Sequence, residues 1–284
     1  MKRCSVLLLL ILFAALTQGG CSAAPENAEV VISAPPAVSL TPSASAAPDA
    51  SPALMLTSKP TPAPTLVCSP VPTPTPVPTP TPGDRIALDG DFYGVALDGA
   101  LKNRITGMSY PEDDSDAAIR YDDLRYVHIL YVDFDGNAHE GELIVNKKVV
   151  NDILEIFRAL YDAEYPLASV RLVDDYGESA DDNLSMAANN TSAFNYRAVA
   201  GSKTLSMHSY GLAVDVNPLF NPYVKSDGSF SPVNAADYVD RTRNFPGKID
   251  HDDLCYKLFV KHGWSWGGDW KSTKDYQHFS KTVD

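Results

Sequence analysis

Proline occupies almost every second position of the stretch PVPTPTPVPTPTPG, residues 70–83. Because proline has no backbone N–H and a fixed φ, this spacing excludes a helix and a central β-strand. The preceding residues, from about position 22, are also rich in Pro, Ala, Ser and Thr, and most of the chain's 22 prolines lie in residues 22–83. We therefore predict a disordered, Pro-rich linker over residues 22–83 and one folded domain over residues 84–284, which at about 200 residues is long enough to bury a core.

The linker composition fits two interpretations. An extended polyproline-like spacer of about 60 residues, at about 3.1 Å each, would reach more than about 100 Å from an anchor, which suits a domain that works within a cell wall. An unstructured connection with no particular reach requires only the composition. Both are compatible with a single C-terminal domain.

Residues 1–21 have the order of a secretory signal: two basic residues, an apolar run, and small residues up to Cys21. The run is too short and wrongly flanked for a stable membrane span. Its Gly-Gly-Cys end resembles a bacterial lipoprotein signal, although Gln18 stands where leucine is usual. This resemblance implies an exported protein that is anchored to the membrane through a lipid on Cys21 and faces the cell wall. Simple secretion, with cleavage near Ala24, is the alternative.

Charge and cysteine content exclude several classes of protein. The net charge of −13, spread through the folded part, argues against nucleic acid as a partner. Of the four cysteines, only Cys255 lies in the predicted domain. A disulfide framework and a cysteine-based zinc cluster are therefore not expected.

Hydrophobic patterns predict an α+β fold, a small antiparallel sheet with helices packed on one side. In residues 125–146, apolar residues occupy alternate positions on both sides of an Asp-Gly-Asn turn, and this pattern predicts a hairpin. Helical spacing predicts a helix within residues 146–165 and another within 250–263. Short strands are expected in 170–176, 194–200 and 212–218, and residues 181–194 are expected to form a polar loop.

The stretch SMHSYGLAVDVNP, residues 206–218, concentrates the chemistry. In a strand here, Asp215 lies beside the small Ala213 on the face opposite the apolar residues. His208 precedes Gly211, where a turn can bring the imidazole over the same face. A carboxylate and an imidazole aimed at one point provide two of the three protein ligands of a catalytic zinc site. The alternative is a loop that enters a strand with a polar residue at each end.

A third ligand should be another histidine. His278, in DYQHFS, is flanked by aromatic residues and follows Asp275 by three positions. His262 is instead typical of a helix end, where the helix dipole favours it. Among the five other histidines of the domain, we therefore favour His278; the candidates are His128, His139, His251, His262 and His278.

Three motifs in order carry a family resemblance: S-x-H-x-x-G-x-A-x-D in residues 206–215, Trp-Gly-Gly-Asp-Trp in 266–270, and D-x-x-H-F in 275–279. With NNTSAFNYR before them, they cover about half of the predicted domain. The chain resembles zinc D-alanyl-D-alanine carboxypeptidases of the VanY type and the related L-alanyl-D-glutamate endopeptidases. This resemblance implies a DD-peptidase/hedgehog-like fold, with Zn²⁺ held by the motif residues His208, Asp215 and His278.

The resemblance also assigns Asp275 as the acid/base group, which moves a proton from the attacking water to the leaving amine. On a straight strand Asp275 and His278 would face opposite ways, so the segment must curl. The oxyanion needs a cation. The family's catalytic arginine precedes the motif histidine, which favours Arg197, with Arg171 as second choice. For either arginine, an ion pair to a nearby aspartate is the structural alternative.

Two further residues are candidate substrate contacts. Ser206 is expected either to contact substrate, as in the family, or to cap the turn that follows it. Trp266, with Trp264 and Trp270, is expected either to line a peptide groove or to pack in a Gly-rich corner.

The expected function is a zinc-dependent carboxypeptidase that removes the terminal D-Ala from peptidoglycan stem peptides. An endopeptidase that cuts within the stem would use the same site, and groove shape would decide between the two. A wall-binding lipoprotein with a structural metal site is the third possibility. Asp275 favours an enzyme, because a structural site would not need this carboxylate and would prefer a fourth protein ligand.

Overall fold

A computed structural model of the chain describes residues 85–283, so the predicted signal and the whole predicted linker lie outside the described residues. The helices are α1 (Gly99–Ile105), α2 (Val150–Asp162), α3 (Asp182–Ala187) and α4 (Leu254–Lys261). The strands are β1 (Ile86–Ala87), β2 (Tyr93–Ala96), β3 (Leu124–Val132), β4 (Ala138–Asn146), β5 (Ser169–Val170), β6 (Asn190–Thr191), β7 (Ala213–Asp215), β8 (Tyr223–Val224), β9 (Phe230–Ser231), β10 (Ser265–Trp266), β11 (Lys274–Asp275) and β12 (His278–Ser280). Among residues 85–283, no helix has both the length and the apolar character needed to cross a membrane.

The sheets are small and mostly antiparallel. The largest has the order β1-β2-β3-β4, two three-stranded sheets have the orders β10-β12-β7 and β11-β8-β9, and β5 pairs with β6 in parallel. This arrangement confirms a mixed fold with small antiparallel sheets and few helices. The single predicted sheet is instead divided into several, because most strands after β4 are only two or three residues long.

The predicted hairpin and both predicted helices are present. β3 and β4 pair along their whole length around a turn in which the Asp133 carboxylate accepts the backbone N–H groups of Asp135 and Asn137. Helix α2 packs its apolar face against this hairpin, with Ile153 and Phe157 essentially inaccessible to solvent. Burial of each such side chain contributes about 1.5–3 kcal/mol, so this layer is the core on which the site is built.

Three local predictions are wrong. Residues 170–176, expected to be a strand, contribute only Val170 to β5 and then form a 3₁₀ turn at Val173–Asp175. Residues 182–187, expected to be loop, form α3, whose first turn is capped by the Asp181 carboxylate through the backbone N–H groups of Asn183 and Leu184. Residues 194–200, expected to be a strand, form only an isolated bridge between Ala198 and Leu205. The backbone N–H groups of Asn195 and Arg197 bond to the turn before β7 instead of to a sheet, and that of Tyr196 bonds to the carbonyl of Ser109.

Candidate active site

Two paired strands place two of the predicted ligands opposite each other. β7 and β12 are antiparallel, and their register aligns Asp215 with His278. Residues directly opposite each other project to the same face of a sheet. Here His278 Nδ1 lies 3.0 Å from Asp215 Oδ1. The neighbouring pair, Val214 and Phe279, is fully buried and anchors both strands in the core.

His208 reaches the same point from a one-turn 3₁₀ helix, Met207–Tyr210, just before β7. Ser206 caps this turn by accepting the backbone N–H of His208 at 3.3 Å. Gly211 ends the turn with φ at 64°, where a side chain would also meet the backbone of Asn146 at 2.5 Å. Glycine is therefore required for the sharp entry into β7.

The orientation of the His208 ring is fixed by a hydrogen bond at Nδ1, the ring nitrogen that does not face Asp215 and His278. Nδ1 donates this bond to the backbone carbonyl of Ala193, because a carbonyl oxygen can only accept. This tautomer leaves the Nε2 lone pair facing Asp215 and His278. A backbone carbonyl in this role is a common outer partner of metal-binding histidines.

The three donor atoms form a compact, buried triangle. His208 Nε2 lies 3.2 Å from Asp215 Oδ1 and 3.2 Å from His278 Nδ1. Ligands bound tetrahedrally to zinc at about 2.0–2.1 Å lie roughly 3.3 Å apart, so both the spacing and the chemistry fit this ion. Among the described residues, this is the one group of three His, Cys, Asp or Glu side chains whose ligand atoms lie close enough to hold a metal.

The charges of the triangle favour a cation. Burial alone would raise the pKa of Asp215, but His208 and His278 hold it well below its usual range. Burial likewise opposes a charge on His208, yet the Asp215 carboxylate outweighs this effect and raises the pKa of His208. A buried carboxylate needs positive charge beside it, and a divalent metal ion would supply that charge.

The predicted curl between Asp275 and His278 is present. β11 and β12 belong to different sheets, so the chain bends between these residues. Gly267 packs against the bend, where an added Cβ would lie 2.8 Å from Asp275 Cβ and 3.3 Å from His278 Cβ. Trp266 supports the bend by donating its indole N–H to the carbonyl of Tyr276 at 2.9 Å. The side chains of Asp275 and His278 therefore start from the same small region.

Asp275 has the properties of a proton carrier. Its Oδ1 is buried and has no hydrogen-bond partner among the described residues. Burial, reinforced by the Asp215 carboxylate, raises the pKa of Asp275 to about 7. A carboxyl group with this pKa can accept and release a proton at neutral pH. An unpaired buried oxygen is costly unless water or substrate provides its partner.

The two arginine candidates occupy different surroundings. Arg197 pairs with Asp182 at 2.7 Å, and its Nε is buried without a partner among residues 85–283. Its charge acts on Asp275, where it opposes the effects of burial and of the nearby carboxylate on the pKa. Arg171 instead forms an exposed pair with Asp175 at 2.7 Å. The structure thus brings Arg197 to the site and leaves Arg171 on the surface.

Trp266 lies in the core, a position that favours the packed Gly-rich corner over the wall of a peptide groove. It is only 4% exposed, and its ring packs against that of Tyr256. Its indole N–H can be buried because the carbonyl of Tyr276 accepts it. Trp270 is 41% exposed, and its ring centre lies 5.5 Å from that of His278. The tryptophan that faces the site is therefore Trp270. Ser206 is 6% exposed, with its hydroxyl used in the cap.

The matched part of the chain contains the triangle and the bend. Residues 200–281 match the family described as D-alanyl-D-alanine carboxypeptidase. This match supports an M15-type peptidase in this part of the chain. It includes His208, Asp215, Asp275 and His278, whereas Arg197 and α3 precede it. No curated protein and no solved structure matches the chain significantly.

Proposed function

We propose that the protein is a zinc-dependent carboxypeptidase of the VanY type that removes the terminal D-Ala from peptidoglycan stem peptides, built on a DD-peptidase/hedgehog-like fold. One observation carries the proposal: the buried triangle of His208, Asp215 and His278 adjoins a bend that carries Asp275, whose Oδ1 is buried and unpaired. A purely structural metal site has no need of such a group. The match to the carboxypeptidase family favours this cleavage over an endopeptidase cut within the stem.

Zinc is the metal that suits this donor set. Two imidazoles and one carboxylate are typical of catalytic zinc sites, which keep one position open for reactants. When bound, the ion supplies Lewis-acid chemistry that polarises the scissile carbonyl. His208, Asp215 and His278 would hold it, and the Ala193 carbonyl keeps the His208 ring aligned.

The remaining side chains divide the work of peptide hydrolysis. Asp275 takes a proton from the attacking water at its unpaired Oδ1 and then gives a proton to the leaving amine of D-Ala. The Nε–H of Arg197 donates to the substrate oxygen on which negative charge develops. Trp270 provides an exposed aromatic wall beside His278, against which the small methyl side chain of D-Ala can pack.

We also propose that the protein is exported and anchored through a lipid on Cys21, with residues 22–83 as the spacer that carries the domain into the wall. Support comes from the signal-like order of residues 1–21 and from the Pro-rich composition that follows it. The negative net charge is compatible with a peptide or wall partner and unfavourable for nucleic acid.

Digestion of purified muropeptides with the zinc-loaded protein tests the proposed function. Stems ending in D-Ala-D-Ala should lose one alanine, identified by mass, and a chelator should stop the reaction until zinc is restored. A cut within the stem would identify an endopeptidase instead. No cleavage of any stem peptide by a protein that retains its zinc would favour a binding module.

A further inference from the structure

Helix α3 contacts two parts of the candidate active site, although it lies outside the family match. Asp182 and Met186 are four positions apart and therefore share one face of the helix. Asp182 pairs with Arg197, and the Met186 sulfur accepts a hydrogen bond from the Gln277 amide at 3.4 Å. The helix thus contacts both the candidate oxyanion cation and the segment that connects β11 to β12.

The backbone of Arg197 is fixed independently of this helix. Its N–H donates to the hydroxyl of Ser209 at 3.0 Å, and its carbonyl accepts the N–H of Ser206 at 3.0 Å. These two serines flank His208, so the start of the Arg197 side chain is tied to the metal-ligand turn. The direction of the guanidinium is then set by its own contacts, of which the bond to Asp182 is the charged one.

We propose that Asp182 is a positioning residue that binds Nη2 of Arg197 and thereby aims the unpaired Nε–H at the oxygen of the scissile peptide group. A guanidinium is planar and rigid, so holding one nitrogen restricts the direction of the others. The buried Nε–H is unfavourable by itself, which implies an acceptor supplied by a ligand. The nature of that acceptor, a carbonyl or oxyanion oxygen, rests on the proposed function.

The test compares Asp182→Asn with a closely matched change elsewhere. Arg104 and Asp175 also pair at 2.7 Å, with side chains 29% and 23% exposed against 33% and 20% for Arg197 and Asp182. If Asp182 positions Arg197, Asp182→Asn should lower kcat about 10²-fold with KM and zinc content little changed, because a small misplacement of a reacting group has this effect. Asp175→Asn should keep its activity. Equal kcat values in the two variants would overturn the proposal.

A double-mutant cycle separates positioning from folding. In the Arg197→Ala background, Asp182→Asn should cause no further loss of kcat, because its effect passes through the arginine. A further loss as large as that seen in the wild-type background would show that Asp182 acts by another route, and the proposal would fail.

A second readout needs neither substrate nor metal. The Nε–H signal of Arg197 can be assigned in ¹⁵N-labelled protein by its loss in Arg197→Lys. We expect a rigid signal in the wild type and a mobile one in Asp182→Asn, as judged by the heteronuclear NOE. An equally rigid signal in both proteins would overturn the positioning role. Absence of peptidase activity in the wild type would instead refute the proposed function and leave this result intact.

Discussion

Gly267 leaves the space in which Asp275 and His278 come together, and Gly267→Ala should close it. An added methyl would lie 2.6 Å from the Asp275 carbonyl oxygen and 2.8 Å from Asp275 Cβ. Ordinary contact begins at 3.4 Å, so the carbonyl must move by about 0.8 Å. The carbonyl oxygen and Cβ of Asp275 are both fixed by the backbone, so no side-chain rotation relieves the clash. The contact to His278 Cβ, at 3.3 Å, is much milder.

We therefore expect Gly267→Ala to displace the base more than the ligand. Overpacking of this kind costs about 1–3 kcal/mol of stability, and a shift approaching 1 Å at a reacting group costs roughly 10² in rate. Zinc content should remain near that of the wild type. The assays are kcat/KM on a peptide ending in D-Ala-D-Ala, zinc per chain, and urea unfolding.

Gly90→Ala is the control for this change, because an added Cβ at Gly90 meets no atom within 4 Å. It should retain both activity and stability. If Gly267→Ala were as active and as stable as Gly90→Ala, the space left by the missing side chain of Gly267 would not be what allows Asp275 to reach the site.

Three other predictions test separate parts of the account. Asp275→Asn should lower the rate of D-Ala release by about 10²–10⁴ with zinc content and Tm little changed, and loss of zinc would instead make Asp275 a ligand or its support. Burial raises the pKa of Asp253 to about 6, so the protonated carboxyl stabilises the fold and this advantage is lost as the pH rises through about 6. Asp253→Asn should then raise the free energy of unfolding by about 1–3 kcal/mol at pH 8 and little at pH 4, and the same gain at both pH values in urea unfolding would contradict this reasoning. Cys21→Ser should move the protein out of the membrane fraction, and its retention there would exclude the lipid anchor.

Local sequence pattern was sufficient for the elements with strong periodicity. The β3–β4 hairpin, α2 and α4 follow from alternation, helical spacing and end signals within each segment. The short helix α3 was missed because six residues make fewer than two turns and show no periodicity. The acidic cap at Asp181, followed by a second aspartate, was the signal that could have indicated it.

The arrangement of the site depends on contacts between distant segments. Spacing of the motif identifies Asp215, but its alignment with His278 is a register between two strands far apart in sequence. Trp266 and Trp270 belong to one Gly-rich motif, and only the bend after β11 decides that the first is buried and the second exposed. The pairing of Arg197 with Asp182 likewise required the helix that the sequence pattern did not show.

The number of metal ions bound per chain tests the central claim most directly. The wild-type protein, His208→Ala and His262→Ala should be equilibrated with zinc, freed of excess ion and analysed by mass spectrometry for metal content. His262 is a matched control, because it is also largely buried but lies at the end of α4, outside the triangle. We expect about one zinc ion per chain in the wild type and in His262→Ala, and almost none in His208→Ala. Equal zinc content in His208→Ala and the wild type would contradict the metal site.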